Sequence, residues 1–157
     1  MPDFTLTTHW LVAASIEEVA AILWEPERLP EWWPAVYLSV EVLDPGPADG
    51  LGRTLAFHTR GWLPYTLRWQ GRLVEDRRPH GWTIEATGDL AGRGAWRLTQ
   101  QGDFADVVYD WRIDVEKPLL KPLTPLLKPL YAANHRWAMA RGLEGLQREL
   151  VRRRAAA

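Results

Sequence analysis

Near the start of the chain, apolar positions recur at every second residue. Phe4, Leu6, Thr8, Trp10 and Val12 alternate with Thr5, Thr7, His9 and Leu11, the period of a strand whose two faces meet different surroundings. Ser15-Ile16-Glu17-Glu18 then has the form of a capping box, in which the serine oxygen accepts a free N–H of the first turn and Glu18 reaches back. Val19, Ile22 and Leu23 give this helix an apolar stripe, and Pro26 stops it. A second short helical piece is expected from Glu27 to Trp33, before Pro34.

Beyond Pro34 the period returns to two. Strands are expected at about 36–44, 52–60, 64–77, 81–90, 94–101 and 104–116. Turns are expected at Pro45-Gly46-Pro47-Ala48-Asp49-Gly50, Gly61, Pro79-His80-Gly81, Ala91-Gly92-Arg93-Gly94 and Gln101-Gly102-Asp103. Links this short favour antiparallel pairing of consecutive strands. In the last strand Val107, Tyr109, Trp111, Ile113 and Val115 alternate with Val108, Asp110, Arg112, Asp114 and Glu116. A one-residue slip would bury its charges, so Tyr109 and Trp111 should face inward and Arg112 outward. The 64–77 strand repeats the pattern, with Tyr65, Leu67, Trp69 and Leu73 opposite Thr66, Arg68, Gln70 and Arg72. A sheet with one aromatic face needs a cover for it.

The cover is a long helix expected from Thr124 to about Arg152, with Pro125 tolerated at its first position. Met139, Leu143, Leu146 and Leu150 form its apolar stripe, while Arg141, Glu144, Arg148 and Arg152 face out. Continued backwards, the stripe takes in Ala132, with His135 and Arg136 at its edges. Pro129 removes one early helical hydrogen bond. With no linker in view, residues 1–157 are expected to form a single α+β domain.

Composition narrows the function. A net charge of −1 lacks the basic surplus of a nucleic-acid binder. No cysteine is present, which removes disulfide and thiolate chemistry and fits a cytoplasmic location. Met1-Pro2-Asp3-Phe4 does not open a signal peptide, and the apolar stretch from Pro118 to Ala133 is too broken by lysine and proline for stable membrane insertion. Ten tryptophans exceed what a core of this size needs.

The order of strand, two short helices, six antiparallel strands and a long C-terminal helix resembles the helix-grip fold of the START/Bet v 1-like superfamily, which includes polyketide cyclase/dehydrase and lipid-transport proteins. Ala14-Ser15-Ile16-Glu17-Glu18-Val19 through Trp32-Trp33-Pro34 carries part of the resemblance. Gly88-Asp89-Leu90-Ala91-Gly92-Arg93-Gly94-Ala95-Trp96-Arg97-Leu98 and Asn134-His135-Arg136-Trp137 with Arg141-Gly142-Leu143 carry the rest. The resemblance implies a curved seven-stranded antiparallel sheet wrapped around the C-terminal helix, and a cavity between them; it implies no particular reaction.

Candidate chemistry is sparse. Ser15 is used as a cap and Ser39 lies in no nucleophile elbow. Gly92-Arg93-Gly94 does not open a helix, which argues against phosphate binding. His9, His58, His80 and His135 lack metal-ligand spacing, so neither metal nor cofactor is expected. The candidate ligand-binding residues are Tyr65, Trp69, Trp82, Trp96, Tyr109 and Trp111 on the sheet, with His135 and Met139 on the helix. His135 is either a structural hydrogen-bonding group, a ligand head-group contact or a general acid/base. Arg136 either snorkels to water or anchors an acidic group. The Pro118–Leu130 segment packs over the sheet edge, forms a ligand entry rim or touches a membrane.

Three functional readings follow: a binding protein for a hydrophobic or aromatic small molecule, an aromatase/cyclase-like enzyme using His135 and Tyr109, or an interaction module with a filled core. A homodimer is compatible with each. On this reading of the stripe, Leu143→Ala should destabilise the fold by roughly 2–5 kcal/mol in a denaturant titration, and replacing Arg148 by less than about 0.5 kcal/mol.

Overall fold

The computed structural model describes residues 2–48 and 50–157. Met1 and Asp49, the latter in the expected Pro45–Gly50 turn, lie outside the described residues. The elements run in the order β1 (Phe4–Val12), α1 (Ile16–Leu23), a 3-10 turn (Pro26–Arg28), α2 (Leu29–Trp32), β2 (Tyr37–Asp44), β3 (Thr54–Arg60) and β4 (Thr66–Asp76). They continue with β5 (Gly81–Gly88), β6 (Leu90–Gln101), β7 (Phe104–Val115), a second 3-10 turn (Lys121–Leu123) and α3 (Thr124–Ala156).

The seven strands form one antiparallel sheet in the order β1-β7-β6-β5-β4-β3-β2. Consecutive hairpins account for every neighbour except β1 with β7, where Phe4 lies opposite Ile113. The sheet curves round α3, which is the helix-grip arrangement. The Ser15 capping box forms as expected: Ser15 Oγ accepts from the Glu18 N–H at 3.1 Å, and Glu18 Oε1 accepts from the Ser15 N–H at 3.0 Å. The strand register also agrees, with Tyr109 and Trp111 buried and Arg112 solvated.

One expected turn is not a turn. Residues 91–94 lie inside β6, and the β5–β6 link is at Asp89. The glycines there serve close packing. A Cβ on Gly92, whose φ is +152°, would overlap the Arg112 carbonyl oxygen of β7. A Cβ on Gly94 would lie 2.6 Å from both the Tyr109 hydroxyl and the Trp111 ring. Here glycine makes room for aromatic neighbours on the adjacent strand.

The helix stripe is rotated from the expected one. Met139, Gly142, Gly145, Leu146, Glu149 and Leu150 are buried, whereas Leu143 is only half-buried. The two glycines cause the rotation, because they allow Trp32 and Trp33 of the α2 region to press onto α3. A Cβ on Gly145 would overlap the Trp32 carbonyl oxygen, and one on Gly142 would overlap the Trp33 ring. The Trp33 indole N–H donates to the Ala138 carbonyl at 3.0 Å, fixing the ring over Gly142.

Charged contacts clasp the far end of α3. Arg154 donates to Glu18 at 2.8 Å and Arg153 to Glu25 at 2.8 Å. The buried Glu149 carboxylate accepts from Arg152 and Arg153, and these hydrogen bonds hold its pKa down at about 2.

The packing centre is therefore one turn away from Leu143. Denaturant titration should give Leu146→Ala a cost of about 2–5 kcal/mol and Leu143→Ala a clearly smaller one. Gly145→Ala should destabilise by about 1–3 kcal/mol although alanine is the better helix former, because the added methyl has no space. A neutral or stabilising Gly145→Ala would mean that α2 does not sit against α3 as described.

Candidate functional site

The buried aromatic side chains meet in a closed circuit. Trp96 stacks on Tyr109 with ring centroids 4.2 Å apart, Tyr109 lies 5.6 Å from Trp111, and Trp111 lies 5.6 Å from Trp69. Trp69 stacks on Phe57 at 4.4 Å, and Phe57 meets Tyr37 at 5.9 Å. Tyr37 meets Trp33 at 5.1 Å, Trp33 meets Trp10 at 6.0 Å, and Trp10 returns to Trp96 at 5.6 Å. Strands β1, β2, β3, β4, β6 and β7 and the turn after α2 each supply at least one ring.

Between this circuit and α3 lies a cavity of about 130 Å³. Tyr65, Trp69, Trp96, Tyr109, Trp111, His135 and Met139 all line it. Trp82 does not. It packs edge-on against Trp24 at 5.5 Å and borders a separate recess of about 60 Å³ by the end of α1, because it lies at the Asp76 end of the β4–β5 pairing with Leu73 and Ile84, whereas Trp69 pairs with Gly88 at the other end. Trp33, Tyr37, Tyr131 and Asn134 also line the cavity and were not among the expected residues. Tyr131 was legible, since it precedes His135 by four residues and therefore shares its helix face. Trp33 and Tyr37 reach the cavity only through the fold of the β1–β2 connection.

The polar groups on the wall are few. The Trp69 indole N–H donates to Thr59 Oγ1 at 3.1 Å. Asn134 Oδ1 accepts from the backbone N–H of Trp62 at 2.9 Å, holding the β3–β4 loop to α3 at the cavity edge. His135 Nε2 and the Tyr131 hydroxyl are both buried without a hydrogen-bond partner among the described residues. Burial, reinforced by the neighbouring Arg136 charge, pushes the His135 pKa down to about 4, so its imidazole is neutral near pH 7. Burial also raises the phenol pKa values of Tyr37, Tyr109 and Tyr131, keeping them protonated donors. Arg60, exposed at the mouth, is the one charged residue on the lining among the described residues, and Arg136 is solvent-facing. No group of three or more His, Asp or Glu among the described residues is placed to hold a metal ion.

A family model described as polyketide cyclase / dehydrase and lipid transport matches residues 3–151. No curated protein matches the chain significantly. Solved structures similar to it include TTHA0849 from Thermus thermophilus, with a TM-score of 0.74, 18% identity and coverage of 94% of this chain and 97% of that one. The Zhui aromatase/cyclase from Streptomyces sp. R1128 has a TM-score of 0.71 and 16% identity, covering 96% of this chain and 94% of its own. A START superfamily protein from Mycobacterium smegmatis has a TM-score of 0.70 and 19% identity, covering 93% and 98% respectively. At these identities the likeness is one of fold.

The buried imidazole gives the site a pH signature. With a folded pKa of about 4 against 6.5 for the free side chain, the unfolded chain binds a proton that the folded chain refuses. Stability therefore falls as the pH drops from 6.5 towards 4, by roughly 3 kcal/mol from this group, and levels off below. Denaturant midpoints measured across that window should flatten in His135→Phe. An unchanged slope would mean that His135 is solvated.

Proposed function

We propose that this chain, which belongs to the polyketide cyclase/dehydrase and lipid-transport family, binds a neutral hydrophobic or aromatic small molecule between its sheet and α3. The observation that carries this reading is the unfilled volume inside the aromatic circuit, with two unpartnered polar atoms, His135 Nε2 and the Tyr131 hydroxyl, on its wall. A buried polar group without a partner costs about 1–3 kcal/mol, and a ligand group that hydrogen-bonds to either of them relieves that cost. Apolar walls supply the affinity and the polar pair the orientation.

Size and charge restrict the ligand. A dry cavity of about 150 Å³ is sufficient to hold benzene, so the 130 Å³ here suits a ligand of about one ring as it stands, and a second ring requires some opening at the mouth. A longer chain requires the mouth between the β3–β4 loop and α3 to widen. The lack of an interior cation disfavours a carboxylate, which would be desolvated without a counter-charge.

A second reading is an aromatase/cyclase-like enzyme in the same cavity, and His135 is what favours it. A neutral imidazole with a free Nε2 can accept a proton from a carbon beside a substrate carbonyl, while the protonated Tyr131 or Tyr109 phenol stabilises the oxygen. The two readings differ in whether His135 is needed for turnover or only for orientation.

Titration with an apolar naphthalene probe should show saturable binding at one site per chain and quenching of tryptophan emission. Leu67→Trp, which fills the cavity from one wall, should abolish that binding and leave the denaturation midpoint nearly unchanged. His135→Phe should keep affinity for purely apolar rings but weaken carbonyl- or phenol-bearing ligands by about 1–3 kcal/mol. Loss of a measurable turnover of a poly-β-ketone surrogate in His135→Phe would favour the enzyme. Probe uptake that never saturates in the wild-type chain would sink both readings.

A further inference from the structure

The segment from β7 into α3 contains a short repeat whose meaning appears only with the burial of its residues. Lys117-Pro118-Leu119-Leu120, Lys121-Pro122-Leu123-Thr124 and Lys128-Pro129-Leu130-Tyr131 share the order lysine, proline, leucine and a variable residue. In each unit the variable residue turns inward: Thr124 and Tyr131 are buried, and Leu120 and Tyr131 line the cavity. The leucine before it faces out each time, with Leu119 at 79%, Leu123 at 43% and Leu130 at 41% exposure. Leu126, between the second and third units, is 78% exposed. Spacings of three and four residues put Leu123, Leu126 and Leu130 on one helix face. The repeat that closes the cavity mouth thus also builds an uncovered apolar row beside it.

A single exposed leucine needs no explanation, but an aligned row beside a cavity mouth does. Its surroundings point to lipid. All three lysines of the chain fall in this segment, and no aspartate or glutamate occurs from Lys117 to Leu143. Lys121 has an exposed side chain that reaches Glu116 at 2.6 Å, and Lys128 lies 5.7 Å from the Phe4 ring centroid. Lysines have long apolar stems that let leucines sink while the ammonium stays at phosphate level. Pro118, Pro122 and Pro125 also matter, because they remove three backbone N–H groups, before α3 and in its first turn, from the stretch that would lose water. A protein partner would not require that saving, since it can supply acceptors of its own. No helix among the described residues is long and apolar enough to cross a bilayer, so the contact is interfacial.

We infer that Leu119, Leu123, Leu126 and Leu130 dock the cavity mouth onto an anionic lipid surface, with Lys121 and Lys128 among the head groups. The leucines supply the partitioning and the lysines the preference for negative charge. This inference does not depend on what the cavity holds.

The test is flotation of the full chain with vesicles of phosphatidylcholine alone and of phosphatidylcholine with phosphatidylglycerol. The wild-type chain should bind the anionic vesicles, and more weakly at high salt. Leu119→Ser combined with Leu126→Ser should lower partitioning by roughly tenfold or more, since both side chains stand almost free of the core. That variant should keep its denaturation midpoint and its naphthalene-probe affinity in solution, which separates loss of docking from loss of fold or cavity. Lys121→Gln with Lys128→Gln should remove the preference for phosphatidylglycerol and spare residual binding. Absence of wild-type binding to both vesicles, or equal partitioning of wild type and the leucine variant, overturns the inference. So does a wild-type dimer in solution that the leucine variant dissolves, because the row would then be a protein interface.

Discussion

Eight aromatic rings in mutual contact set the terms for the rest of this structure. Each neighbouring pair adds about 0.5–1.5 kcal/mol beyond its area burial, and the circuit joins six strands and the α2 turn. Rings this large cannot be packed on a regular sheet and helix without concessions from the backbone. Glycine makes the concessions: Gly94 beneath Tyr109 and Trp111, Gly71 beside Phe57, and Gly142 under Trp33. Large residues and absent side chains are two parts of one packing solution.

The same circuit explains why the core is not solid. Rigid rings held by stacked, tilted or edge-on neighbours on both sides cannot turn to fill the space they enclose. The helix could fill it from above, but the face it presents there is Met139, Ala138, His135 and Tyr131, and the bulk of Trp33 already occupies the position beside Gly142. The remaining volume therefore belongs to the fold. His135 Nε2 and the Tyr131 hydroxyl have no hydrogen-bond partner among the described residues, which gives a binding role a physical basis that a filled core would lack.

The two ends of α3 have opposite characters. Its C-terminal half is clasped by Arg153, Arg154 and the buried Glu149 network to the region around α1. Its first turns carry prolines and outward leucines and are tied to the β3–β4 loop chiefly through Asn134. This end also packs on β1, with Tyr131 against Phe4 at 6.0 Å, and it borders the cavity mouth. The exposed leucine row lies beside it.

The strand and helix assignments were legible because side-chain direction alternates locally, every two residues in a strand and every three to four in a helix. Parity alone put Trp69, Trp96, Tyr109 and Trp111 on the inner face, and helical angle put His135 and Met139 opposite them. The capping box at Ser15 was equally local. What parity cannot report is which inward residues share a cavity: Trp82 obeys the same alternation as Trp96 yet borders a different recess, because it sits at the Asp76 end of the β4–β5 pairing and not at the Trp69 end. Trp33 and Tyr37 join the circuit through contacts with residues tens of positions away. Gly142, Gly145, Gly92 and Gly94 carry no side chain to signal a face, so their role appears only when the neighbour that needs the space is in position. The void itself is a sum over many side chains from distant parts of the chain. Local pattern determined the elements and their faces; three-dimensional packing decided the rotation of α3, the membership of the site and the space left inside it.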